Sequence, residues 1–205
     1  MSQPEPFSNE SHTGAVRTGG GRRRTVRIVA ALAVVATVLI LGRALTTPAQ
    51  SSPASASATP GAPAPQVGHY APDATLLDLA NRQVTINSLR GKVVLLNFWY
   101  VACQPCQYEM PALEKAYLSY ASKGVVVVGV DISDDAQTIS DFIQRLGVTY
   151  PILRDVGERV TLQYRLTATP SSFFLDRQGV IRYKQVGPLD TATLNTELAA
   201  LLKAR

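Results

Sequence analysis

Residues 93–111 read VVLLNFWYVACQPCQYEMP, and the fold turns on how this stretch divides. Val93–Trp99 is an almost wholly apolar run bounded by polar residues, which reads as a buried strand. From Cys103 to about Ser122, Met110, Leu113, Tyr117 and Tyr120 recur at the spacing of one helix face. Cys103 and Cys106, the only cysteines of the chain, therefore fall at a strand-to-helix turn. Unpaired N–H groups and the helix dipole favour an anion there, so the Cys103 thiolate is expected to be stabilised. Cys106, one turn further in, is near enough to close a short disulfide with it. The spacing predicts a pair that cycles between dithiol and disulfide.

An inert staple is the competing reading for two cysteines in an exported protein. Staples gain most when they close long loops, and a loop this short constrains the unfolded chain little. Pro105 also pre-sets the first helical turn, as a redox turn needs. A metal site is poorly supplied: two thiolates leave zinc or copper short of ligands, and the histidines, His12 and His69, both precede the motif. No metal and no cofactor is expected.

Charge separates the chain into a tail and a body. From Gln66 to Arg205 there are 14 Lys+Arg and 13 Asp+Glu, a net +1, against 6 Arg and 2 Glu, a net +4, in the first 65 residues. The body carries no basic stripe or nucleic-acid motif, which argues against a nucleic-acid partner. Within the tail, Arg22, Arg23, Arg24 and Arg27 precede Ile28–Leu41, 14 residues without charge or proline. Positive residues before an apolar run keep the N-terminus in the cytoplasm and send the downstream chain across the membrane. The run suits a signal-peptide core, with Ala-Ser-Ala at 54–56 and 56–58 as cleavage sites. Those sites lie well beyond the run and the 27 residues before it are long for a signal peptide, so an uncleaved anchor over 28–45 is the favoured reading. A buried core helix is disfavoured because the run has no polar face.

The expected organisation is thus a cytoplasmic basic segment, 1–27, an anchor, 28–45, a linker, 46–66, and a folded domain, 67–205, outside the cytoplasm. The linker has five prolines among Ala, Ser and Thr and no charge. Such a composition cannot form a core; in polyproline geometry it would reach roughly 65 Å. Within the domain, Thr75–Leu77 and Val84–Ile86 around Asn81 suggest a leading hairpin, and Val125–Val130 a strand buried on both faces. Ile139, Phe142, Ile143 and Leu146 mark a second helix, and Leu194, Leu198, Leu201 and Leu202 a last one. Ser171–Leu175 and Val180–Val186 flank Asp176-Arg177-Gln178-Gly179 as an antiparallel hairpin. The resulting order is an α/β core, β-α-β-α-β-β-α, with an N-terminal hairpin extension.

NFWYVACQPCQYEMP, with APDATLLDL before it and VVVVGVDIS and TPSSFFLDRQG after it, resembles the thioredoxin superfamily. Within it the chain is most similar to membrane-anchored thiol–disulfide oxidoreductases of the TlpA/ResA type, over about Val67 to Leu202. The resemblance implies a thioredoxin fold, a three-layer sandwich, and a cis bond between Thr169 and Pro170. It implies that this turn lies against the cysteine pair and that the backbone beside it binds an extended substrate segment, with Pro105 and Trp99 nearby. Trp99 and Phe98 also read as core or pocket wall. Asp131 and Asp176 read as strand ends and turn formers, and Pro111 as a helix kink.

Exchange needs an attacking thiolate and a second thiol to release the mixed disulfide. Cys103, earlier in the helix and more exposed, is expected to attack and Cys106 to resolve. Glu109 lies three residues after Cys106, on the same face. Spacing alone reads it equally as a solvated surface acid, whose substitution would cost no more than about 0.5 kcal/mol. The resemblance assigns it to the active site. Two positions depart from the family: Ala102 stands where Trp is usual, and Asn97 where thioredoxins carry a buried Asp.

The resemblance implies a reductant of protein disulfides, its substrates being apocytochrome c or a copper-site assembly protein and its electron donor a membrane dithiol carrier. Two other functions compete. A thiol peroxidase wants Thr three residues before the reactive Cys, where Tyr100 stands. A copper chaperone wants a CxxxC spacing and a later His, and no His follows His69.

Overall fold

The computed structural model describes residues 59–204. The expected basic segment 1–27, the anchor 28–45 and linker residues 46–58 lie outside the described residues. Among the described residues no helix is long and apolar enough to cross a membrane.

Seven strands form one sheet: β1 (Thr75–Asp78), β2 (Gln83–Thr85), β3 (Val93–Trp99), β4 (Val125–Asp131), β5 (Ile152–Arg154), β6 (Ser171–Leu175) and β7 (Ile181–Val186). Their spatial order is β2-β1-β5-β4-β3-β6-β7. β3, β4 and β5 run parallel, and the two hairpins flank them antiparallel. Both central strands are buried along their whole length, as their unalternating Val and Leu runs require.

Among the described residues four α-helices complete the fold: α1 (Gln104–Tyr120), α2 (Ala136–Leu146), α3 (Arg159–Gln163) and α4 (Thr191–Lys203). The path β3-α1-β4-α2-β5 steps across the sheet in one direction. Right-handed crossovers then put α1 and α2 on the same face. One core holds Val93, Leu95 and Trp99 of β3 with Met110 and Leu113 of α1, Ile139 and Phe142 of α2, and Leu194 and Leu198 of α4. The alternate β3 residues Val94, Leu96 and Phe98 face a second core with Leu76, Ile86, Val160 and Tyr164. Two helical layers thus enclose the sheet, and the fold is the expected thioredoxin-like one.

The structure adds β5 and α3 to the expected order. Along β4, β5 reaches only Gly129–Asp131, and it begins after Pro151, which has no N–H to extend the ladder. Short as it is, β5 joins β1 and thereby ties the leading hairpin into the main sheet. The last residues of the expected linker also differ from a free tether. The Gly61 N–H donates to the Gly68 C=O, and the Ala64 N–H to the Tyr70 C=O. A side chain at Gly61 would overlap the His69 ring, so glycine permits this close return. Beyond it, Gly68–Ala71 forms a strap along the β6–β7 turn: Gly68 N–H donates to Ile181 C=O, Ile181 N–H to His69 C=O, and Ala71 N–H to Gly179 C=O.

Candidate active site

The site sits where β3 ends and α1 begins. Cys103 is the N-cap residue of α1, its sulfur accepting the Cys106 N–H at 3.3 Å. Pro105 lies in the first turn, where its missing N–H costs no helical bond. Cys103 and Cys106 are joined by a disulfide with their Cα atoms 5.3 Å apart. Cys106 is fully enclosed, whereas Cys103 keeps 4% of its surface. Ala102, Gln104 and Pro105 around Cys103 are exposed. Pro111 stands inside α1, where the Gln107 carbonyl forgoes its helical donor.

Register brings the second expected element to the same end of the sheet. β3 and β6 pair as far as Phe98 with Ser171, so one step further come Trp99 and Pro170. The Thr169–Pro170 bond is cis, and the Pro170 carbonyl accepts the Gly187 N–H at 2.8 Å. Trp99 differs from a substrate contact. It is fully buried and stacks on Phe142 with ring centroids 5.6 Å apart, because strand alternation turns it into the helical core beneath the disulfide. Of its two readings, core or pocket wall is the one the structure supports, and the ring lies in the core.

Glu109 also differs from a solvated surface acid. Only 4% of it is exposed. Its Oε1 accepts Asn97 Nδ2 at 2.6 Å and its Oε2 accepts the Leu189 N–H at 2.7 Å. Asn97 Nδ2 also donates to Ser172 Oγ at 3.0 Å. Burial pushes the Glu109 carboxyl above its ordinary range, and the Leu189 and Asn97 donors oppose that rise without cancelling it. An acid that holds a proton more readily than usual is thus fixed one turn beyond Cys106. Below it, burial raises the Tyr150 phenol, and the charges of Glu109 and Glu114 add to the effect.

Asp176 makes a turn, as expected, accepting the Gln178 and Val180 N–H groups and pairing with Arg182. Asp131 likewise accepts the Ser133 and Asp134 N–H groups. Asp134, Gln107 and Leu189 carry no signal in the sequence, and each contacts the site's frame. Leu189 acts through its backbone, so no residue type marks it. No cluster of metal-ligating residues occurs among the described residues.

A dithiol turn at a helix N-terminus, with a cis-proline turn at the same sheet end, defines a thioredoxin-fold redox protein. Residues 67–184 match the AhpC/TSA family, and the chain belongs to it. It is 31% identical over 122 residues to thiol-disulfide oxidoreductase ResA of Bacillus thuringiensis, covering 60% of this chain and 70% of that one. The ResA of Halalkalibacterium halodurans is 32% identical over 138 residues, 67% of this chain and 78% of the relative. Among solved structures, the thioredoxin domain of a thiol-disulfide oxidoreductase from Bacteroides vulgatus superposes with a TM-score of 0.60 at 26% identity, covering 66% of this chain and 98% of that one. StoA from Bacillus subtilis gives 0.54 at 26% identity, covering 62% and 96%. The chain is accordingly a thiol–disulfide oxidoreductase.

Proposed function

We propose that the protein is a membrane-anchored, extracytoplasmic reductant of protein disulfides. The observation that carries this reading is the asymmetry of the pair: Cys103 keeps 4% of its surface at a helix N-terminus, and Cys106 is fully enclosed ahead of a buried acid. The Cys103 thiolate attacks a substrate disulfide sulfur, and the leaving sulfur departs with the electron pair of the broken bond. Cys106 then loses its proton and attacks Cys103 in the mixed disulfide. This releases the reduced substrate and leaves Cys103–Cys106 oxidised. Glu109 accepts and returns the Cys106 proton. The substrate segment lies against Thr169 and Pro170, with Pro105 and Ala102 at the rim.

Apocytochrome c cysteines or a copper-site assembly protein are the substrates, and a membrane dithiol carrier restores the pair. The Arg22–Arg27 cluster ahead of Ile28–Leu41 supports the topology. Cys106→Ser is expected to accumulate a mixed disulfide with substrate and Cys103→Ser none; the reverse pattern would overturn the assignment. N-terminal sequencing of membrane-extracted protein tests the anchor, and a mature start near Ser55–Thr59 would refute it.

A further inference from the structure

The segment that leads into Cys103 is held by acids outside the redox pair. Asp131 ends β4 in register with Trp99, the last residue of β3. Its Oδ1 accepts the Ser133 N–H at 3.0 Å and the Asp134 N–H at 2.7 Å, which bends the chain back toward β3. Asp134 Oδ2 then accepts the Val101 N–H at 2.7 Å. From the other side Gln107 of α1 donates Nε2 to the Val101 carbonyl, also at 2.7 Å. Both polar groups of Val101, two residues before Cys103, are therefore gripped.

Asp131 is 1% exposed, and among the described residues its Oδ2 has no donor. The Asp134 N–H bond to Oδ1 keeps Asp134 beside it, and the Asp134 charge acts on it. A buried carboxylate oxygen without a donor, set near a second negative charge, is costly, and a proton on it relieves that cost.

We propose that Asp131 and Asp134 are positioning residues for Cys103, Asp131 keeping a proton at its buried Oδ2 while Asp134 holds the Val101 N–H. The inference rests on reading Cys103 as the attacking thiol. With that proton in place Asp131 is neutral and Asp134 keeps its grip. When that proton leaves to water, two adjacent charges repel. Asp131 is locked in β4, so Asp134, on a partly exposed loop, is the one displaced, and it moves Val101 with it.

The surroundings of Asp131 support this geometry. Burial pushes the Asp131 carboxyl up to about 6, the Asp134 and Ser133 N–H bonds oppose the rise, and the Asp134 charge adds to it. Other charged groups face the same cavity of about 340 Å³: Arg154 and Asp155 from the end of β5, Asp135 from the start of α2, and Glu158 from the start of α3. Asp155 accepts the Val160 and Thr161 N–H groups, Asp135 those of Gln137 and Thr138, and Arg154 donates Nη2 to Asn81. Trp99, opposite on β3, brings no charge.

Alkylation of Cys103 by iodoacetamide against pH, in the reduced full-length protein, tests the proposal. The wild-type curve is expected to carry an inflection near pH 6 besides that of the thiol. Asp131→Asn removes it and, with one negative charge fewer, lowers the thiol midpoint by about half a unit, roughly threefold in thiolate. Glu109→Gln keeps the inflection, which separates it from Glu109. A carboxyl ¹³C titration of the oxidised wild type needs no variant: Asp131 and the Val101 amide are expected to move through one shared step. Independent steps with no response at Val101, or an inflection that survives Asp131→Asn, would overturn the proposal. Neither readout uses a protein substrate, so a failure to reduce protein disulfides would count against the proposed function alone.

Discussion

Asn97 Nδ2 donates to Glu109 Oε1 across 2.6 Å, joining the central strand to the helix that carries both cysteines. With Leu189 on the other oxygen, the carboxyl is held by a strand, a helix and the loop before α4. Desolvation outweighs these two donors, so the acid is poised above the usual carboxylate range instead of being locked as an anion.

Glu109→Gln is expected to lower at least one thiol pKa of the reduced pair, because a nearby negative charge disfavours a thiolate. It is also expected to destabilise the fold by about 1–3 kcal/mol, since the new NH₂ must face one of two existing donors. This replaces the near-neutral cost expected of an exposed acid. Alkylation rates against pH and urea midpoints measure the two effects. Superimposable alkylation curves would reduce Glu109 to a strut.

Asn97→Asp sets a second carboxyl against Glu109. Two acids in contact cannot both ionise cheaply, so the pair is expected to retain a proton to higher pH and to raise the onset of Cys106 reactivity. The thiol titration of the reduced variant measures this. An unshifted curve would show that Glu109 and the cysteines are electrostatically independent.

The parts legible in the sequence share a physical cause. Val93–Trp99 and α1 announce themselves because length and periodicity are fixed by what they bury, and the cysteine pair by its place between them. β5 spans three residues and α3 five, too few to show a period. The burial of Glu109 is hidden for a different reason. Position on a helix tells which residues share a face, but its burial is decided by Leu189, 80 residues away. The Val101 clamp is hidden in the same way, since Asp134 lies 33 residues on in a loop.

Stability should fall as pH rises through the window set by the raised acids. A carboxyl whose folded pKa exceeds its unfolded value stabilises fully below the unfolded value, and that contribution is lost as pH rises through the folded one. For Asp131 the window runs from about 4 to about 6. The stability of wild type relative to Asp131→Asn is expected to shrink across this window and level off above it. Urea midpoints at several pH values provide the measurement; a difference that grows with pH would mean that Asp131 is stabilised as its anion.

Gly129→Ala is expected to destabilise by about 1–3 kcal/mol through overpacking. A Cβ there would lie 2.7 Å from Ile152 Cδ1, 3.0 Å from Trp99 Nε1 and 3.1 Å from Tyr150 Cε2. Ile152 can rotate away, but the two rings are held in the core beneath the disulfide. Thermal unfolding of the oxidised protein checks it, and an unchanged midpoint would show that the rings shift freely.

The strap Gly68–Ala71 bears on how the chain is completed as it is made. Its partners, Gly179 and Ile181, belong to a hairpin synthesised long after it. A contact so distant along the chain closes late, because the intervening loop must be ordered first. Until then the start of β7, an edge of the finished sheet, has no cover. The first folded residues beyond the linker are thus among the last to find their place, and their docking covers the start of β7 only once the rest of the sheet exists.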